Sequence, residues 1–152
     1  LSPNGIKVGL FGAQGTGKTT AMRAVYQALL KKNVPAVMVT ETARRCPHPI
    51  NEGTGYEAQR WIQAEQLRCE SEACKEEAVV LTDRTSIDHM AYARWALDNG
   101  KMTESEFKDY CKVAIAWCDT YDALCYFPIE FDLVEDGVRS IDPKFQAEID
   151  FN

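Results

Sequence analysis

The residues Gly12-Ala13-Gln14-Gly15-Thr16-Gly17-Lys18-Thr19 match the pattern G-x-x-x-x-G-K-[ST] in full, after an apolar run, IKVGLF, and before a helical stretch. The glycines let backbone N–H groups converge on phosphate oxygens, Lys18 reaches the outer phosphates, and the Thr19 hydroxyl suits magnesium. Gly12, Gln14, Gly15, Thr16, Gly17, Lys18, Thr19 and Thr20 are therefore the candidate nucleotide ligands. ATP with Mg2+ is the expected pair, and GTP fits the same loop. Such a loop does not say what the phosphate is for, so the acids and arginines at other strand ends must decide.

Asp83 and Arg84, in AVVLTDRTSID, end a buried apolar run. An acid there is the usual second anchor for magnesium, often through water, so Thr19 and Asp83 form the candidate metal pair; Arg84 is placed for a phosphate or an acceptor. The alternative is an Asp-Arg surface pair capping the next helix, which Asp88 could also cap or support. Glu41, in VTETARR, follows the second apolar run, where a carboxylate can take a proton from an acceptor hydroxyl. Arg44 and Arg45 suit an anionic substrate or, equally, a solvated loop. Gln59 and Gln66 are candidate substrate contacts, because an amide offers both a donor and an acceptor. Trp61 reads more readily as core, and Met90, Tyr92 and Trp95 as helix packing. Tyr56, His48 and Asn51 are loop candidates for the same acceptor pocket.

Four short runs rich in β-branched and aromatic residues, 6–11, 35–40, 78–82 and 122–127, read as buried parallel strands. Helical stretches fall between them at 18–32, 56–77, 87–98 and 103–118, with Gly100 as a stop for the third and Thr103 with Glu106 as a capping box for the fourth. The alternation predicts an α/β three-layer fold, a parallel sheet covered by helices on both faces, with ligands at the carboxyl ends of the strands. Two stretches, 41–55 and 128–143, exceed the usual connection of about 4–6 residues and stand where a flap or lid belongs.

With 152 residues, 45% of them hydrophobic, the chain fits a single domain spanning 1–152. Its apolar runs fall short of the roughly 20 residues that span a bilayer, so a cytoplasmic protein without membrane contact is expected. The six cysteines form no CxxC pair and read as reduced thiols. A net charge of −6 disfavours a nucleic-acid surface but allows a small anionic ligand in a local basic pocket.

Taken in order, GAQGTGKT, Glu41, Asp83-Arg84-Thr85-Ser86 with Asp88, and Asp136-Gly137-Val138-Arg139 resemble the small P-loop kinases of nucleosides and nucleotides. Within them the likeness is to the kinase-like AAA family that includes the ribosylnicotinamide kinase domain. The resemblance implies a five-stranded sheet of order 2-3-1-4-5 and a mobile lid. It places the base on Glu41, substrate and magnesium contacts on Asp83 and Arg84, a lid at about 130–142, and a phosphate-stabilising arginine at Arg139. Because the sequence ends soon after that lid, either a trimmed C-terminus or a sheet of order 2-3-1-4 without the fifth strand is expected.

The expected function is ATP-dependent phosphoryl transfer to a small nucleoside- or nucleotide-like acceptor, by an enzyme that could pair as a homodimer, with either Glu41 or Asp83 as the base. The alternatives are a nucleotide-dependent regulatory ATPase or switch, and a kinase of nucleic-acid ends or modified bases. Neither an N-K-x-D nor an L-S-G-G-Q stretch is present.

Overall fold

The computed structural model describes residues 5–75, 78–130, 132, 133, 137 and 140–151. Four parallel strands, β1 (Ile6–Phe11), β2 (Ala36–Val39), β3 (Val79–Asp83) and β4 (Ala123–Tyr126), form a sheet of order β2-β3-β1-β4. The register sets Leu10 beside Asp83 and Cys125, so the carboxyl ends of β3, β1 and β4 finish together. Helices α1 (Lys18–Lys31), α2 (Tyr56–Ala73), α3 (Ser86–Asp98), α4 (Glu104–Cys118) and α5 (Pro143–Phe151) make the crossovers and the final segment. The α/β architecture and the order 2-3-1-4 are those expected from the sequence.

Local chemistry explains the boundaries. Thr103 and Glu106 cap α4 reciprocally, as their spacing predicts, and Thr85 with Asp88 makes a second such box at α3, which therefore begins at Ser86. Helix α3 ends at Asn99 and Gly100, the glycine at φ 67°. Between β2 and α2 the expected loop holds two short 3-10 turns, Thr42–Arg45 and Asn51–Gly53. Helix α5 lies beyond the sequence-based assignment: its Phe145 packs edge-on to Trp95, centroids 5.0 Å apart, and so fixes the segment against α3.

The core is unusual on one helix face. Gln59, Gln63, Gln66 and Glu70 follow a spacing of four, three and four, so a single stripe of α2 carries buried polar groups inward. At its far end Glu70 accepts from Lys7 Nζ (2.8 Å) and Trp117 Nε1 (2.7 Å) on one oxygen, and from Tyr121 Oη (2.7 Å) and Gln66 Nε2 (2.8 Å) on the other. The Lys7 ammonium also sits over the rings of Trp117 and Tyr121. Four donors on one buried carboxylate bind α2, α4, β1 and the approach to β4 into one network.

Glu70→Leu leaves the Lys7 charge buried and unpaired, and is expected to cost about 3–5 kcal/mol of unfolding free energy in urea titrations. Adding Lys7→Met should recover at least half of that loss; a single variant as stable as the parent would show that the pair is solvated rather than buried.

Candidate active site

At the carboxyl edge of the sheet the loop after β1 wraps the start of α1. Gly12 has φ 135°, and a Cβ there would lie 2.3 Å from the Phe127 carbonyl oxygen, so only glycine fits. Gly17, at φ 86°, is the N-cap of α1, whose first turn holds no acid and no side-chain cap; the helix N-terminus and its dipole favour an anion. Lys18 Nζ donates to the carbonyls of Gly12 (2.7 Å) and Ala13 (2.5 Å) and to Thr16 Oγ1 (3.1 Å). Gln14 and Thr16 are buried beside it, while Thr20 is exposed on α1. The Thr19 hydroxyl donates to Asp83 Oδ2 across the gap between α1 and β3. This pair fits magnesium, which takes one or two protein oxygens and completes its shell with phosphates and water; among the described residues no cluster of three or more acidic, His or Cys ligands offers a fuller cage.

Arg84 and Asp83 are both buried, which excludes an exposed surface pair. Arg84 holds φ 78°, a left-handed conformation uncommon outside glycine. Its N–H bonds Leu10 O at 3.0 Å and its carbonyl accepts from Gln66 Nε2 at 3.3 Å. Its Nε donates to Glu41 Oε1 at 2.7 Å, and Arg44 Nε reaches Glu41 Oε2 at 3.1 Å. The Arg84 guanidinium stacks 5.0 Å from the Tyr92 ring centroid.

Glu41, Arg44, Arg84, Gln14, Gln59, Asn51, His89 and Tyr92 line one pocket, open to solvent at its mouth, with Ile50 and Ile62 as apolar wall. Four of these side chains hold buried polar atoms without a hydrogen-bond partner: Gln14 Nε2, Gln59 Oε1, Arg84 Nη1 and both ring nitrogens of His89. Burial first, and then the Arg84 charge, lower the His89 pKa to about 3, so its imidazole is neutral at physiological pH.

The site thus gathers the phosphate loop, Glu41, Asp83, Arg84, Arg44 and Gln59. Arg45 and Gln66 stand apart from the pocket. The Thr42–Arg45 turn advances about 120° per residue, so Arg45 diverges from Arg44 and pairs with Glu65 at 3.2 Å. Gln66 lies about 10 Å along α2 from Gln59 and is consumed within the core by Thr42, Glu70 and the Arg84 carbonyl. Arg139 lies outside the described residues, as do Asp136 and Val138. Sequence reasoning missed His89 and gave Tyr92 to packing; both sit on the stripe 85, 88, 89, 92 of α3, one turn and two turns past the Asp83-Arg84 motif. His48 and Tyr56 border a separate surface groove.

A family model described as an AAA domain matches residues 7–150. The chain belongs to that AAA domain family. No curated protein matches it in sequence. Among solved structures, a deoxyadenosine kinase from M. mycoides with the products dCMP and dCDP is 14% identical at a TM-score of 0.67, covering 96% of this chain and 80% of that one. NadR protein in complex with NR is 16% identical at a TM-score of 0.66, covering 97% of this chain and 40% of NadR. These likenesses establish the fold shared with P-loop kinases; the chain spans well under half the length of NadR.

Burial, and then the Arg84 charge, lower the Lys18 pKa from 10.5 to about 8. Between pH 8 and 10.5 the unfolded chain therefore keeps a proton that the folded chain has released, so stability gains with rising pH. Relative to Lys18→Met, the native protein is expected to gain about 3 kcal/mol across this window in denaturant titrations. A pH-independent difference would show Lys18 to be solvated.

Proposed function

We propose that the protein is a cytoplasmic P-loop kinase that transfers the terminal phosphoryl group of ATP to a hydroxyl of a nucleoside-like acceptor. The observation that carries this reading is the common edge of two sites: Gln14 belongs to the phosphate loop and also lines the pocket that holds Glu41 and Arg84. A molecule in that pocket faces the phosphate-binding loop, and holding two reactants in this way removes much of the entropic barrier.

Each residue then has a defined task. The loop amides and Lys18 bind the phosphates, and Thr19 with Asp83 would hold Mg2+, which would neutralise charge on the transferred group. Asp83 is engaged by the Thr19 hydroxyl, which leaves Glu41 as the base. Each Glu41 oxygen receives an arginine N–H, which holds the carboxylate in place toward the acceptor hydroxyl. As that hydroxyl oxygen bonds the γ-phosphorus, its proton passes to Glu41, the bond to the β–γ bridging oxygen breaks, and ADP leaves. Arg84 Nη1 supports the charge that develops on the transferred group. Both pocket arginines are already paired with Glu41, which favours an uncharged nucleoside over a nucleotide as acceptor.

The test is a screen of nucleosides and nucleotides with γ-labelled ATP. Lys18→Ala is expected to abolish transfer with the fold intact by circular dichroism, and Glu41→Gln to lower kcat by about 100-fold or more with little change in the KM for ATP. ATP hydrolysis that ignores every acceptor and rises with a protein partner would replace this reading by a regulatory ATPase.

A further inference from the structure

Of the eight unpartnered buried side-chain polar atoms among the described residues, five belong to residues that line the one pocket beside the phosphate loop. Unpaired buried polar groups are costly, and their concentration at one concave place needs a cause. His89 is the extreme case: it is 3% exposed, and neither ring nitrogen has a partner. The amides beside it are partly satisfied. Gln59 Nε2 donates to Thr54 Oγ1 at 2.7 Å, and Gln14 Oε1 accepts from Tyr92 Oη at 3.0 Å. Each amide is thereby fixed at one end and presents its other atom unpaired.

We propose that His89, flanked by Gln59 and Gln14, is the specificity-determining residue of this pocket, and that it reads an acceptor whose base presents a hydrogen-bond donor beside an acceptor. The inference rests on the acceptor-pocket reading given above and narrows it. A neutral imidazole keeps one N–H donor and one bare nitrogen in either tautomer, so a base that offers acceptors alone leaves the bare nitrogen unpaired. Its neutrality follows from its surroundings: burial and the nearby Arg84 charge both disfavour the imidazolium, against a smaller opposite influence from Glu41. The Gln14 N–H groups require an acceptor and the Gln59 oxygen requires a donor. A base edge that lacks one of the two leaves a buried protein group unpaired, which is the strongest form of rejection open to a small pocket. Ile50 and Ile62 supply the apolar surface against which a planar ring lies.

The test measures equilibrium binding without ATP, by calorimetry, of inosine and uridine, which carry the donor–acceptor edge, and of purine riboside, which has acceptors alone. The native protein is expected to prefer the first two by at least about 100-fold. His89→Leu should narrow that preference to about 5-fold or less, His89→Gln should restore most of it, and neither should change ATP affinity. Because leucine removes two unpaired buried atoms, His89→Leu should also raise Tm by a few degrees, where a structural histidine would lower it. Unchanged preference in His89→Leu, a lowered Tm, or no binding of any of the three nucleosides overturns the proposal. Should the preference follow His89 while labelled phosphate is never transferred, the kinase reading falls and the assignment of His89 stands.

Discussion

A single buried carboxylate, Asp88, sets the relation between the phosphate loop and the pocket. Its Oδ1 accepts the Gly12 N–H at 2.8 Å, and its Oδ2 accepts the Thr85 N–H at 2.7 Å. One side chain thus fixes the first residue of the loop and the cap of α3, and its charge lies 4.0 Å from the Nη1 of Arg84. Burial pushes the Asp88 pKa up, and the charges of Arg84 and Lys18 oppose that rise. The dependence is mutual: the cations hold the anion, and the anion aligns the helix that carries His89 and Tyr92. A shift of α3 along its axis would break the cap that Asp88 and Thr85 make.

The same region stores much of the local strain and polar imbalance. Arg84 keeps a positive φ that costs of order 1 kcal/mol, and the unpaired atoms of the pocket add to it. Such features persist when the surroundings over-determine them. Here the surroundings are the Arg84 bonds to Leu10, Gln66 and Glu41, and behind Gln66 the network centred on Glu70. The polar stripe of α2 therefore runs from a satisfied, four-donor carboxylate at one end to an unsatisfied Gln59 at the other. Stability is concentrated away from the cleft and binding capacity beside it.

Much of this was legible in the sequence, and the exceptions share a physical cause. The parallel sheet follows from alternating β and α segments and its order from the family resemblance, and residues immediately after a strand, such as Glu41, Asp83 and Arg84, have positions fixed by the sheet edge. Arg45 and Gln66 depended on rotation within a turn and on depth along a helix, neither of which residue type reveals. Tyr92 looked like packing because an aromatic at helical spacing usually is; only the cap at Thr85 sets the phase that turns positions 88, 89 and 92 toward the loop. Helix α5 was invisible because its short apolar face, Phe145 and Ile149, acquires meaning only against Ala13 and Trp95.

The two long irregular stretches, each placed by the sequence after a strand end, meet in the structure: Ser140 Oγ donates to Glu52 Oε1. From there α5 reaches the phosphate loop, where Gln146 Nε2 donates to the Gln14 carbonyl at 2.7 Å. Gln14 therefore receives α5 on its backbone and α3, through Tyr92, on its side chain. Its remaining amide nitrogen faces the pocket. A residue held from two helices transmits displacement of either one to both phosphate loop and pocket. Geometry at the phosphate end and recognition at the pocket end are consequently not independent variables in this fold: whatever moves α5 changes the orientation of Gln14, and with it the polar edge that the pocket presents.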